Sequence, residues 1–342
     1  MAPPKSGLSV IFTSLQEGLK KVLKGCEIKN VTFKEIKEFT ESFALTKKFN
    51  IHFNEYVDSR DKVSKILTEK RFFRLALYWS LWAYIAYEDP AVIRDFVTDK
   101  SNLKFYNTQS EETIQNPFFF LTADHLSRSI VIAVRGTAGI ADGITDVLGV
   151  LVKFMPNEPE AKAHVGFAEA ARNVISSVKE DLFALSNQFP TYPIKVVGHS
   201  YGAATSALVA YILNGTLSLR GEKLIKAVVY CCPATFNEYS SIKICVSGFV
   251  TSFILGWDAI PRASLYTGSR LLCKNADQLN VEEAHIPGNI FWITYDDNDK
   301  LEDMYLITSN NKGVQNIMMH PYMIDDHSMS RMVAALMVYA SR

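Results

Sequence analysis

The segment that most narrows the fold is Ile194-Lys195-Val196-Val197 running into Gly198-His199-Ser200-Tyr201-Gly202 and on into AATSALVAYIL. An apolar run, a glycine-bounded pentapeptide and a small-residue helix in direct succession predict a buried strand, a sharp turn and a helix. A serine at the centre of such a turn sits on strained backbone. Glycines two before and two after it let neighbouring backbone approach without Cβ clashes. The helix that follows aims N–H groups and positive potential at the same point. A serine hydroxyl held there is a nucleophile only if a base, itself oriented by a third group, stands beside it. The plain alternative is a glycine-bounded turn carrying an ordinary surface serine.

The surrounding chain agrees with a strand–helix alternation. LKFYN, PFFFLTA and SIVIAV (from 103 to 134) are short strand-like runs, the last two separated by a polar DHLSR turn. Helical patterning covers His164 to Gln188 and Ala203 to Leu213, KAVVYCC and FVTSFIL are strands, and His327 to Tyr339 is a closing helix. Such alternation implies a mostly parallel sheet covered on both faces. Residues 1–100 read as a helical N-terminal extension packed on the core, with Phe33, Ile36, Phe39 and Phe43, then Val63, Ile66 and Leu67, at helical spacing. Residues 101–342 read as the sheet domain. No repeat or flexible linker separates them.

One segment resembles a membrane span, Phe72 to Tyr87 (FFRLALYWSLWAYIAY). It carries Arg74 and falls short of the ~20 apolar residues a span needs, so a buried core helix is expected, with an interfacial helix as the alternative. Lys+Arg and Asp+Glu balance at 36 each, so no overall field favours nucleic acid. The cysteines, Cys26, Cys231, Cys232, Cys245 and Cys273, are odd in number, irregularly spaced and lack CxxC; neither a disulfide framework nor a zinc site is expected. The N-terminus lacks an apolar h-region with a cleavage site, and the expected location is cytoplasmic. No cofactor or metal is expected.

Candidates for the base lie downstream of Ser200 at His285, His320 and His327. His327 stands just before the closing helix, His320 is the runner-up, and His285 comes third. For the acid, Asp258 follows FVTSFILGW at the C-terminal end of a strand, the sheet edge where active sites collect. Asp325 and Asp326 stand too close in sequence to His327 to orient it from behind, and YDDNDK (295–300) reads as a solvated hairpin tip.

With those residues in place the chain resembles a known family. VIAVRGT (131–137), DGITD (142–146), HVGF (164–167), GHSYG (198–202) and DAIPR (258–262) look like the ordered motif set of the class 3 lipases. VTSFILGWDAIPRASL and IPGNIFWITY look more specifically like the sn-1-specific diacylglycerol lipase branch. The resemblance covers about 103–342 and implies an α/β-hydrolase fold: α/β, with a mostly parallel central sheet flanked by helices. It implies Ser200, Asp258 and His327 as the catalytic triad. Thr137 and the N–H of Tyr201 would form the oxyanion hole. Arg135, Asp146 and His164 would brace loops, the last two by pairing with each other. Tyr201 stands where the family has Leu, so its phenol is expected to reshape the acyl pocket. Gly143 stands where the family often has an aromatic residue.

The implied function is a serine lipase acting on acylglycerols, diacylglycerol or monoacylglycerol first. The alternatives are an esterase or phospholipase of the same fold, or a non-catalytic lipase-like scaffold. The expected partner is a lipid ester at a membrane or droplet surface, with peripheral membrane contact. The apolar stretch from Val147 to Met155 reads either as a lid or as an ordinary buried strand or helix.

Overall fold

The computed structural model describes residues 16–23, 65–66, 70–107, 113, 115–137, 147–216, 224–296, 300–307, 314, 316–317 and 320–342. The readings of Phe33 to Phe43, Asp142 to Asp146, Val63 and Leu67 fall outside them.

The strands in chain order are β1 (Lys65–Ile66), β2 (Lys104–Tyr106), β3 (Phe119–Asp124), β4 (Ser129–Val134), β5 (Leu151–Lys153) and β6 (Lys162–His164). They continue as β7 (Ile194–His199), β8 (Ile225–Tyr230), β9 (Val250–Leu255), β10 (Asn289–Tyr295) and β11 (Leu301–Ile307). The helices are α1 (Lys70–Ile85), α2 (Pro90–Phe96), α3 (Val165–Gln188), α4 (Tyr201–Thr216), α5 (Glu238–Ser247), α6 (Leu265–Leu272) and α7 (Met329–Ser341).

Among the described residues the main sheet runs β1-β11-β10-β9-β8-β7-β4-β3-β2. Its centre, β4-β7-β8-β9-β10, is parallel, and both flanks are antiparallel. The parallel strands are apolar and buried on both faces, as helices on either side require. Helix α4 covers β7, β8 and β4 on one face with α3 alongside, while α1 and α7 pack together over the other. Parallel strands all end at the same edge. There the chain turns out of β4 at Arg135-Gly136-Thr137, out of β7 at Ser200, out of β8 at Cys231 and out of β9 at Gly256-Trp257-Asp258.

The aromatic helix is a core element. Along α1, Phe73, Ala76, Trp79, Trp82 and Ala83 are buried, while Leu75, Leu81 and Tyr84 face outward. No helix among the described residues is long and apolar enough to cross a membrane. One sequence expectation changes here. Ile66, read as helical, lies in the short strand β1 paired antiparallel with β11, because sheet pairing outweighs a weak helical spacing. Of the two readings of the 147–155 stretch, the buried element is the one seen. Leu151–Lys153 pairs with Lys162–His164 as a two-stranded ribbon, and Val147, Leu148, Phe154 and Met155 are buried.

A second correction concerns sulfur. Cys231, Cys232 and Cys245 are free, but Cys273 is disulfide-bonded.

Candidate active site

The turn between β7 and α4 explains the pentapeptide. Ser200 has φ 57°, a left-handed conformation rare outside glycine. A Cβ at Gly198 would sit 2.3 Å from the Gly202 carbonyl oxygen, and one at Gly202 would sit 2.3 Å from that of Val134. The glycines therefore let the elbow close on itself and let β4 come within reach of it.

Three elements bring the sequence candidates together. His327 Nε2 lies 2.8 Å from Ser200 Oγ, and its Nδ1 lies 3.0 and 3.1 Å from the two carboxylate oxygens of Asp258. With Nδ1–H donating to the acid, Nε2 is free to accept the serine proton. Asp258 is fully buried, Ser200 and His327 nearly so. His327 sits in the 3-10 turn Asp325–His327 that leads into α7. The other two histidines stand elsewhere. His320 is stacked on Trp257, its Nδ1 accepts the Tyr322 N–H, and burial pushes its pKa down to about 4. His285 pairs its backbone with Phe236 on the ribbon side.

The DAIPR motif has a structural reason. Arg262, 1% exposed, donates from Nη1 to the Asp258 carbonyl (2.5 Å) and from Nη2 to the Gly256 carbonyl (3.0 Å). Trp292 Nε1 reaches the same Gly256 carbonyl at 2.9 Å. The acid is thus fixed by a cation and an indole that both hold its own backbone.

Thr137, half-buried, lines a cavity of about 450 Å³ together with Ser200, His327, Tyr84, Tyr87, Glu88, Ile260, Ile324 and Met329. The Tyr201 side chain is absent from that lining. It is buried edge-on against Phe167 and reaches the Gly166 carbonyl at 3.4 Å, because a side chain on the first turn of α4 points back over α3. The expectation that its phenol reshapes the pocket is therefore corrected. Arg135 lies over the Phe118 ring. His164 does brace a loop, by accepting the Gly149 N–H at 2.7 Å; Asp146 is outside the described residues. Burial pushes His164 down to about 4, which keeps it neutral.

Sequence reasoning missed Tyr87 and His199. The Gly136 N–H donates to Tyr87 Oη, and Tyr87 Oη–H donates to His199 Nδ1 at 2.8 Å. His199 Nε2–H in turn donates to the His327 carbonyl at 2.8 Å. Burial pushes His199 down to about 3, so the ring stays neutral and both nitrogens have fixed roles. This chain of bonds ties the RGT loop, the elbow and the base loop together. The signal in the sequence was the polar tip of an aromatic residue at the end of an apolar helix. The ring nitrogens of His199 and His327 and Cys231 Sγ lie within 4.8 Å of one another, yet each nitrogen is already engaged in the bonds above.

Fold and triad geometry together define an α/β-hydrolase. Residues 131–267 match the sequence profile of the family described as Lipase (class 3). It is 34% identical over 163 residues to diacylglycerol lipase-beta of Mus musculus, a match covering 43% of this chain and 22% of that protein. It is 35% identical over 114 residues to secreted mono- and diacylglycerol lipase 2 of Gibberella zeae, covering 28% of each. The matches thus span about a quarter of those relatives' length. Among solved structures it is similar to the Rhizomucor miehei triacylglyceride lipase, with TM-score 0.56 and 22% identity over 77% of this chain and 95% of that one.

Proposed function

We propose that this chain hydrolyses acyl ester bonds of acylglycerols, diacylglycerol or monoacylglycerol first, through an acyl-enzyme on Ser200. The observation that carries the reading is the continuous Ser200–His327–Asp258 hydrogen-bond line opening into an apolar-walled cavity. Ser200 Oγ attacks the acyl carbon while His327 Nε2 takes its proton. Asp258 holds the imidazole and balances the imidazolium that forms. His327 then gives the proton to the departing glycerol oxygen, and water repeats the sequence to release the fatty acid. The N–H groups of Thr137 and Tyr201 are the oxyanion donors in this reading, each worth ~10²–10³ in turnover.

The relatives' names, mono- and diacylglycerol lipases, support the substrate class. Tyr84, at the cavity mouth, and Leu81 one turn before it are exposed on one face of α1, and peripheral contact with a lipid surface is part of the proposal. Because Tyr87 comes from the segment before residue 100, residues 70–100 belong to the working unit in this reading.

The test is fluorophosphonate labelling followed by a hydrolysis panel of mono-, di- and triacylglycerols, phospholipids and short nitrophenyl esters. One adduct on Ser200 and fastest turnover of di- or monoacylglycerol are expected. Absence of an adduct on the folded protein would sink the enzyme reading in favour of a scaffold. Preference for phospholipids would overturn the substrate class.

A further inference from the structure

The loop that carries the acid and the turn that carries the base are joined by a second carboxylate, one the triad does not use. Asp326 is fully buried beside His327. Its Oδ2 accepts the Trp257 N–H at 2.9 Å, one residue before Asp258, and its Oδ1 accepts the Tyr295 hydroxyl at 3.1 Å. Arg331 Nη2, on the first turn of α7, lies 3.2 Å from Oδ1. The fit is close, since Gly256 has φ +41° and a Cβ there would lie 2.4 Å from Oδ2. Alongside, the Ala259 N–H donates to the Met323 carbonyl at 3.0 Å, a second link between the same two segments.

We infer that Asp326 is a positioning residue, holding the acid loop (256–258) against the base turn (325–327) so that Asp258 stays behind His327. The inference rests on the hydrolase reading above for its kinetic consequences. A carboxylate can accept from all three donors at once, whereas a carboxylic acid turns one oxygen into a donor and must release a partner. Ionised, Asp326 also adds negative potential beside the imidazolium formed during turnover.

Among the described residues the charged and titratable groups facing it come from several elements. Tyr295 projects from β10, Arg331 from α7, Asp258 and the buried Arg262 from the loop after β9, and Cys231 from the end of β8; Asp325 and His327 flank it in sequence. Burial, with Asp258 adding to it, pushes the Asp326 carboxyl up to about 6, while the Trp257 N–H, Arg331 and Tyr295 oppose the rise. Activity then requires two groups to be unprotonated, His327 and Asp326. The sign follows: kcat/KM falls as pH drops through the Asp326 pKa.

The test compares wild type with Asp326→Asn and Arg331→Gln on a soluble nitrophenyl ester from pH 4.5 to 8.5. Asp326→Asn is expected to lower kcat by ~10-fold or more with KM little changed. Its acid limb should lose the step at the Asp326 pKa. Arg331→Gln keeps the carboxylate and its bonds to Trp257 and Tyr295 but removes the neighbouring cation. Its acid limb should move to higher pH. Both variants matching wild type within about twofold in kcat, with superimposable pH profiles, would overturn the inference. A pH-independent loss would do the same, since it reports packing alone. His327 ring signals followed by NMR give a readout independent of turnover: in wild type they are expected to shift as pH passes through the Asp326 pKa, and in Asp326→Asn that step should be gone. If wild type hydrolyses no ester while that coupling is present, the hydrolase reading fails and the positioning role stands.

Discussion

Replacing Tyr87 with Phe removes one oxygen and keeps the ring. Two bonds go with it, the one accepted from the Gly136 N–H and the one donated to His199 Nδ1 at 2.8 Å. Both partners are left buried without it, and each such loss costs about 1–2 kcal/mol, giving about 2–4 kcal/mol in all. At ~2.1 cal/mol/K per residue, unfolding 342 residues carries an entropy of ~0.7 kcal/mol/K, so each kcal/mol lowers Tm by about 1.4 °C. A fall of about 3–6 °C is expected by calorimetry. The kinetic effect should be larger than that shift suggests, because the broken chain of bonds ends at the His327 carbonyl and begins at the residue before Thr137. A ~10-fold or greater loss of kcat with KM within about twofold is expected on a soluble ester. Combining Tyr87→Phe with His199→Asn should cost less than the sum of the two. A Tm within 1 °C of wild type together with additive kinetics would refute the reasoning, since the hydroxyl would then be a bystander.

Gly202→Ala places a Cβ 2.3 Å from the Val134 carbonyl oxygen, a backbone atom that cannot swing aside. Loss of fluorophosphonate labelling is expected even where circular dichroism shows a folded protein. Acidification should destabilise the chain through its buried neutral histidines. His164 at about 4 and His199 at about 3 lie below the ~6.5 of an unfolded histidine, so the unfolded state binds protons first and stability falls as pH drops from about 6.5 towards 4. His164 accounts for about 2 kcal/mol of that loss at pH 5, and urea titrations of His164→Asn should show a correspondingly flatter dependence. Alkylation of the denatured, unreduced chain should label Cys231, Cys232 and Cys245 and leave Cys273 protected until reductant is added, as peptide mass spectrometry can report.

The core of the fold was legible because β4 and β7 to β9 are apolar on both faces and α4 follows its serine without a break. Ser200 could be read from glycine spacing set between an apolar strand and a small-residue helix, since that spacing is a steric requirement of the turn. Asp258 and His327 needed the family resemblance: the sequence offers three downstream histidines, and only folding puts one within 2.8 Å of Ser200 Oγ. Asp326 was dismissed for its sequence neighbourhood with His327. It indeed does not orient the ring, and its bonds run instead to a loop 69 residues earlier. Tyr201 misled for the opposite reason, standing within the motif while its side chain packs away from the chemistry. The edge strands β1 and β11 are set by partners remote in sequence, which local periodicity does not encode.

The two residues of β1 shield more than their length suggests. They pair with Tyr305 and Leu306 at one margin of the main sheet. A fragment begun after residue 66 would uncover Tyr305 and Leu306 and so extend the open edge along Leu301–Ile307, a strand with the buried Met304 and Ile307 in its sequence. Such an edge invites pairing with another copy. Poor solubility of short fragments would then reflect a lost strand cover and would say nothing of the integrity of the serine centre, which lies at the other end of the sheet's logic, on its carboxyl edge.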